Sequence, residues 1–400
     1  MKRKIRIAYL QHGIVYGGAP MSLYLLQRSI ETFDYEKYGY TTSIHSKELY
    51  ELMMTQCLNI YPIKLFQIHN NQYGSPSIIN FIFKNSNVKK FCALLKELKI
   101  DILHVNSTVF PQINRYIKAN SSIKIVTHVR ELIPRYGLGL VQKYLIKEIG
   151  QYSDAIIAIS DNEAQPFNNF NNLHVLPNPF NFSSMISLKN NSFRESEGIE
   201  RNTVLVGMSG QFNKFKGHIN FIKSIKYVLE KAGNKQKVLF LIIGVRERTA
   251  TWKRVIKGLL LRDDYGSIVA DIIKKDEVES FVKLIPYTID IFDILIDVDI
   301  FVRPAITGDP WGRDVIEAMA MKKPVIATGT SQFYIKDGIT GYLIPPNEPK
   351  LLAEKIIDLV NDPGKRIAFG EKGYEIVRSM CDMEKYGQSI DYIYRNILVT

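Results

Sequence analysis

Two carboxylates stand eight positions apart in the stretch Asp309-Pro310-Trp311-Gly312-Arg313-Asp314-Val315-Ile316-Glu317-Ala318-Met319-Ala320. The apolar run 300–303 before them has the length of a buried strand, and residues 313–321 carry a helical pattern. Asp309 therefore falls in the loop beyond a strand, and Glu317 falls about one turn into the following helix. Ligands of open α/β sheets lie outside the carboxyl ends of the strands, so both carboxylates can face that crevice. Placed there, they could bind hydroxyls of two different sugar rings of one nucleotide-sugar. The plainer reading of the same residues is helix capping by Asp309 or Asp314, with Glu317 in solvent.

Two turns have the composition of anion sites. Gly210-Gln211-Phe212-Asn213-Lys214-Phe215-Lys216-Gly217 follows a strand pattern at 204–209 and precedes a helical pattern at 218–231. A cation beside a helix N-terminus suits a diphosphate, although a solvated basic turn would have the same residues. Gly17-Gly18-Ala19-Pro20 follows the strand pattern 5–10. Its glycines let backbone approach an anion, and Pro20 suits the start of a helix; a simple tight turn is the alternative. Cys57, Cys92 and Cys381 are dispersed and odd in number, which argues against a disulfide framework or a zinc site. The seven His residues form no paired spacing, so no metal is expected.

The elements that must position these residues come in two series. Strand patterns at 5–10, 101–105, 124–128, 155–160 and 174–177 alternate with helical patterns such as 88–98 and 140–150. A second series has strands at 204–209, 238–243, 300–303, 324–327 and 341–344, with helices at 218–231, 313–321 and 349–360. Strands alternating with helices imply parallel sheets covered on both faces, hence two Rossmann-like domains. The Asn-, Ser- and charge-rich stretch 178–202 reads as the linker between them.

Composition sets the outer bounds. A chain of 400 residues with 46% hydrophobic and 23% charged residues is that of a soluble globular protein of two or three domains. Its 52 Lys and Arg against 40 Asp and Glu leave a charge of +12, which attracts nucleotides, acidic head groups or nucleic acid. The 11% aromatic residues are not arranged with basic residues in a nucleic-acid motif, so no nucleic-acid partner is expected. The basic start is followed by Arg6, Gln11 and His12, which break any signal-peptide core. No stretch approaches the roughly 20 apolar residues of a membrane span. A cytoplasmic protein is expected, with peripheral contact to an acidic membrane through 246–262, which mixes six Lys and Arg with Trp252 and Leu259-Leu260-Leu261, or through 132–149. A solvated helix is the alternative for 246–262.

The ordered set of motifs resembles the family 4 glycosyltransferases, whose GT-B fold has two facing Rossmann-like domains with a cleft between them. Asp309-x7-Glu317 with its Ala318-Met319-Ala320 tail resembles the family's Glu-x7-Glu signature. Lys323-Pro324-Val325-Ile326-Ala327-Thr328, the run from Asp337 through Gly341 to Pro346, Gly17-Gly18-Ala19 and Leu176-Pro177-Asn178-Pro179 follow in family order or place, over about residues 5–395. The resemblance implies an N-terminal acceptor-side domain at 1–180, with a C-terminal helix at about 383–400 packing back on it. A nucleotide-sugar-binding domain then spans 200–382.

It further implies a retaining hexosyltransferase of bacterial surface polysaccharide or glycolipid assembly. Such an enzyme would take a nucleotide-sugar donor and a glycan or lipid-linked acceptor, without a metal. By the resemblance Glu317 binds the ribose, Asp309 sits at the donor sugar, and Lys216 with the amides of Gly17 and Gly18 meets the diphosphate. Trp311, Gly312 and Arg313 join the donor site. Gln211 stands where the family often has Arg, and Asp309 is shorter than the family's Glu. His128 or Arg130 occupies the family's His place near the reacting sugar, His128 being the catalytic candidate. The alternatives are a sugar-nucleotide epimerase of the same fold and a non-catalytic nucleotide-sugar or membrane-binding protein.

Overall fold

The computed structural model describes residues 3–14, 17–65, 85–133, 139–185, 192–232, 237–245, 265–288 and 291–399. The first half runs β1 (Ile5–Gln11), α1 (Gly18–Ser29), β2 (Tyr35–Thr41), α2 (Lys47–Met54), β3 (Asn59–Pro62), α3 (Asn85–Glu97), β4 (Ile102–Val105), α4 (Pro111–Asn120), β5 (Lys124–Val129), α5 (Leu140–Tyr152), β6 (Ala155–Ala158), α6 (Asp161–Ala164) and β7 (Leu173–Val175). The second half runs α7 (Ser192–Ser196), β8 (Val204–Ser209), α8 (His218–Ala232), β9 (Val238–Val245), α9 (Tyr265–Lys275), β10 (Val282–Pro286), α10 (Phe292–Leu295), β11 (Ile300–Arg303), α11 (Arg313–Ala320), β12 (Val325–Thr328), β13 (Gly341–Ile344), α12 (Pro349–Asn361), α13 (Pro363–Met380) and α14 (Met383–Val399). They form two compact units, Met1–Pro179 with Cys381–Thr400, and Phe180–Met380.

The first unit holds a seven-stranded sheet in the order β3-β2-β1-β4-β5-β6-β7, and its strand pairs are parallel. Alternation along β1 decides what covers each face. Ile7 and Tyr9 join a core with Leu23, Leu49 and Ile390, from α1, α2 and α14. Ala8 and Leu10 join another with Phe91 and Ile113, from α3 and α4. Strand β2 is absent from the sequence pattern because Glu36, Lys37 and Gly39 interrupt its apolar run. Tertiary partners accommodate these charges: Glu36 pairs with Arg6 at 2.7 Å, and Lys37 donates to the Gln27 carbonyl at 2.8 Å.

In α14, Tyr386, Ile390, Ile393, Tyr394 and Ile397 recur at helical spacing and are buried. They carry this last helix onto the first unit rather than onto the unit that precedes it in the chain. The approach to α1 is close. A Cβ on Gly387 would lie 2.1 Å from the Ser29 carbonyl oxygen, so only a residue without a side chain fits at that crossing.

The second unit has a six-stranded sheet, order β10-β9-β8-β11-β12-β13, again with parallel pairs. Its boundary corrects the expected linker at 178–202. Phe180 and Phe193 are buried, and Arg194 is 6% exposed. The Arg194 guanidinium donates to the Asp297 and Thr203 carbonyls and meets Asp299 at 2.7 Å. The polar composition that reads as a linker thus includes an arginine that ties α7 beneath the amino ends of β8 and β11.

Candidate active site

In the second unit the candidate residues gather at the carboxyl ends of β8 and β11. The turn after β8 is shaped by local chemistry. The Asn213 side chain accepts from the Phe215 amide at 3.1 Å and starts a short 3-10 turn, Lys214–Lys216. Gly217 ends that turn in the left-handed region, φ 77°. A Cβ there would also lie 1.8 Å from the Pro304 carbonyl oxygen, so both conformation and space require glycine. The Ile306 amide donates to the Phe215 carbonyl at 3.0 Å. The lysine turn is therefore fastened to the loop that follows β11.

Strand β11 ends in Arg303, which is 6% exposed. Its guanidinium donates through Nη1 to both Asp314 carboxylate oxygens, at 2.7 and 2.6 Å. Nε and Nη2 grip Asp309, at its carbonyl (3.0 Å) and at Oδ2 (2.8 Å). Burial works against the Arg303 charge, and Asp314 and Asp309 more than offset it, holding its pKa above the ordinary value. Burial likewise pushes Asp314 up, but Arg303 and Lys216 outweigh it, and the carboxyl ends below its usual range. Gly312 leaves the space for this arrangement: its Cβ would lie 2.5 Å from Asp314 Oδ1 and 2.7 Å from Arg303 Nη1.

Asp309 is thus held rather than free at a loop tip. One carboxylate oxygen is in the grip of Arg303, while Oδ1 is buried with no hydrogen-bond partner. An acceptor in that state is costly unless a donor arrives, by roughly 1–3 kcal/mol. Lys216 stands in the same charge cluster. Its side chain packs over Gly210, whose Cβ would lie 3.3 Å from Lys216 Cδ. Repulsion from Arg303, then burial, lowers the Lys216 pKa, with Asp314 and Asp309 pulling it back. Arg303 is matched by two carboxylates, but among the described residues Lys216 has no ion pair within 4.0 Å, and it is the cation left available to an anion.

On α11, Arg313 pairs with Glu317 through Nε and Oε1 at 2.7 Å. Burial pushes Glu317 up to about 7, against the pull of Arg313. Glu317 is 8% exposed, so it is neither solvated nor a surface cap. The Trp311 indole is 2% exposed and packs beside Phe333 and Tyr334, with centroids 6.2 and 6.1 Å away. The ring is therefore part of the core. Gln211 is partly buried at the start of the lysine turn.

The first unit brings its own polar residues to the ends of β1, β4 and β5. His128 is fully buried, with Nδ1 3.2 Å from Arg130 Nη2 and 3.3 Å from His104 Nε2. Burial, then Arg130 and His104, hold the His128 pKa well below its ordinary value, so the ring is neutral. Arg130 donates to Asn106 Oδ1 and Asn178 Oδ1, both at 2.5 Å, and Asn106 donates to Gln11. His128 and Arg130 are therefore neighbours in one network. Gly17 precedes α1 without a side-chain cap, and Gly18 is exposed.

The sequence reading missed Arg303, His104, Asn106 and Gln11. The one available signal for Arg303 was a charge ending an otherwise apolar strand, Ile300-Phe301-Val302-Arg303. Among the described residues no three His, Cys, Asp or Glu side chains gather as a metal site. The basic segment 246–262 lies outside the described residues.

Several known proteins are similar to this chain. Residues 189–376 match the family model described as "Glycosyl transferases group 1". Over 214 residues the chain is 25% identical to the capsular polysaccharide biosynthesis glycosyltransferase CapM of Staphylococcus aureus, covering 53% of this chain and 51% of CapM. Over 82 residues it is 32% identical to the phosphatidyl-myo-inositol mannosyltransferase of Mycobacterium leprae, covering 20% of this chain and 22% of that protein. The chain thus spans about half the length of CapM and less of the mannosyltransferase. The crystal structure of HepE of Anabaena, in complex with UDP and glucose, superposes with a TM-score of 0.76 at 17% identity, over 98% of this chain and 100% of that one. At that identity the likeness is one of fold. The two parallel-sheet units have the GT-B architecture, and the group 1 match falls within the second of them.

Replacing Arg303 by Met takes the counter-charge from Asp314, whose side chain is largely buried, and from the half-buried Asp309, which is expected to cost up to about 3–5 kcal/mol. Denaturant unfolding at pH 7 and pH 4.5 checks this. The deficit shrinks at the lower pH, where Asp314, no longer held down by Arg303, takes up a proton; an unchanged midpoint at pH 7 would mean that the Arg303 grip contributes nothing.

Proposed function

We propose that this protein is a retaining glycosyltransferase of the family 4 kind, moving a hexose from a nucleotide-sugar to a hydroxyl acceptor. The observation that carries the reading is the cluster in the second unit: Lys216, with no direct ion pair among the described residues, beside an Arg303–Asp309–Asp314 network, inside the segment matched by the group 1 family model. Lys216 meets the diphosphate in the second unit. The Glu317 carboxylate accepts from ribose hydroxyls, with Arg313 and Gly312 shaping that wall. The unpartnered Asp309 Oδ1 accepts from a hydroxyl of the transferred sugar, and His128 contributes its ring on the acceptor side.

The bond from the anomeric carbon to phosphate breaks as the acceptor oxygen attacks from the same face, and the acceptor proton passes to the departing phosphate. Negative charge grows on the diphosphate, and a cation already in place stabilises it without reorganisation. Lys216 carries that charge here without a divalent metal. No carboxylate is needed as a covalent nucleophile. The names of the relatives, in capsular polysaccharide and phosphatidyl-myo-inositol chemistry, favour a glycan or lipid-linked acceptor, and the UDP of HepE makes UDP-sugars the first donors to test.

A lipid-linked acceptor places the enzyme at the inner face of a membrane. Helices α3, α4 and α5 carry seven cations and two acids. Helices α1, α2 and α14 carry four of each. Leu140, 68% exposed, projects one turn from Lys143. No described helix is long and apolar enough to cross a membrane. A basic layer with an exposed leucine suits an anionic lipid surface.

Two measurements test the reading. In a panel of UDP-, GDP- and ADP-sugars, one is expected to be hydrolysed slowly without acceptor and transferred with it. Its affinity should fall about tenfold from pH 8 to pH 6, because the ribose hydroxyls need Glu317 ionised and burial sets that group at about 7. The esterified phosphates of a nucleotide-sugar keep their charge over that range. Glu317→Gln should flatten the profile, whereas a wild-type affinity independent of pH would remove Glu317 from the ribose. For the membrane surface, co-sedimentation with phosphatidylglycerol vesicles should exceed that with phosphatidylcholine. Lys143→Ala with Lys147→Ala should weaken it about thirtyfold, at about 1 kcal/mol per lysine; equal sedimentation with both lipids would contradict it.

A further inference from the structure

The first unit contains a buried chain of polar side chains that begins on the last helix of the protein and ends at His128. Tyr394 in α14 places its hydroxyl 2.7 Å from His104 Nδ1, and the Tyr9 hydroxyl lies 3.4 Å beyond. His104 Nε2 is 3.3 Å from His128 Nδ1, and Arg130 Nη2 is 3.2 Å from the same atom. His104, His128, Tyr9 and Tyr394 are each at most 1% exposed.

The proton positions in this chain follow from one fact. A guanidinium can only donate, so His128 Nδ1 must accept from Arg130 and carries no proton. The neutral His128 ring therefore has its proton on Nε2. His104 Nε2 faces the same accepting nitrogen and must itself be the donor. His104 Nδ1 is then an acceptor, and the Tyr394 hydroxyl donates to it. One lone pair on His128 Nδ1 serves two donors, consistent with both distances being long for a hydrogen bond. The far end of the chain is open: His128 Nε2 is buried and has no hydrogen-bond partner. The chain thus presents a neutral N–H, aimed and unsatisfied, at the carboxyl end of β5.

We propose that Tyr394 and His104 are positioning residues, which together with Arg130 keep His128 in the Nε2–H tautomer and hold that N–H ready to donate to an oxygen of the substrate. The proposal rests on the functional reading above for the identity of the substrate, but not for the tautomer. In this arrangement Nε2 cannot take a proton from the acceptor, because it already carries one. His128 serves as a hydrogen-bond donor and not as a general base, and the C-terminal helix is a working part of the site.

Nitrogen-15 spectra of histidine-labelled full-length protein test the tautomer without any activity. His128 is expected to show a protonated Nε2 and an unprotonated Nδ1 from pH 6 to pH 8. A protonated Nδ1, or an imidazolium in that range, overturns the proposal. Tyr394→Phe removes one oxygen from the core. It should let His104 sample both tautomers and shift the His128 nitrogens, lowering kcat about tenfold while nucleotide affinity stays within about twofold of wild type. His104→Gln can still donate toward His128 Nδ1 and should keep more turnover than His104→Leu; equal losses from the two, or unmoved His128 signals in Tyr394→Phe, overturn the positioning role. If no donor is turned over, the functional reading fails, and the nitrogen signals alone decide the proposal.

Discussion

A strand buried on both faces has no place for an uncompensated charge, yet β11 ends in Arg303. Its guanidinium survives burial because two carboxylates close on it, Asp314 from the first turn of α11 and Asp309 from the loop between. Much of the second unit's geometry follows. The loop must curl so that Asp309 offers both carbonyl and carboxylate to one side chain. Residue 312 must be glycine because a Cβ would enter the Arg303–Asp314 contact. Helix α11 must start at Arg313, which sets the phase that buries Glu317 one turn later. Arg303 engages both aspartates directly, so Lys216 feels them only at longer range and has no ion pair of its own among the described residues. A strand-end arginine thus leaves an unpaired lysine and an unpartnered Asp309 oxygen in one cluster.

The first unit meets the same constraint differently. Arg130 also sits just beyond a central strand, but its donors go to neutral oxygens of Asn106 and Asn178 and to the ring of His128. Without a paired carboxylate, burial lowers the Arg130 pKa, while the same guanidinium, together with burial, keeps His128 and His104 neutral. The outcome is a buried, donor-rich network of amides and uncharged imidazoles.

Much of this was legible in the sequence. The alternation of strands and helices gave two parallel-sheet domains, and the chemistry-bearing turns at 210–217 and 309–317 could be placed at strand ends from local patterns alone. What escaped depends on partners distant in the chain. Strand β2 carries Glu36 and Lys37, which read as loop until Arg6 and the Gln27 carbonyl are beside them. The stretch around Arg194 reads as linker because its aspartate and carbonyl partners lie about a hundred residues later. Trp311 stands among Asp309, Pro310 and Gly312 in the sequence, and the partners that make its ring core, Phe333 and Tyr334, come some twenty residues later. Tyr394 and His104 are 290 positions apart, and no spacing rule could have joined them.

Calorimetric titration of nucleoside mono- and diphosphates is the most direct test of whether the second unit holds a donor diphosphate at Lys216. For the preferred base, wild type should bind the diphosphate at least tenfold more tightly than the monophosphate, about 1.4 kcal/mol. Lys216→Ala should bring the two within about twofold while monophosphate affinity is kept. Equal affinities in wild type, or a diphosphate preference that survives in Lys216→Ala, would contradict the assignment of this lysine and, with it, of the donor site.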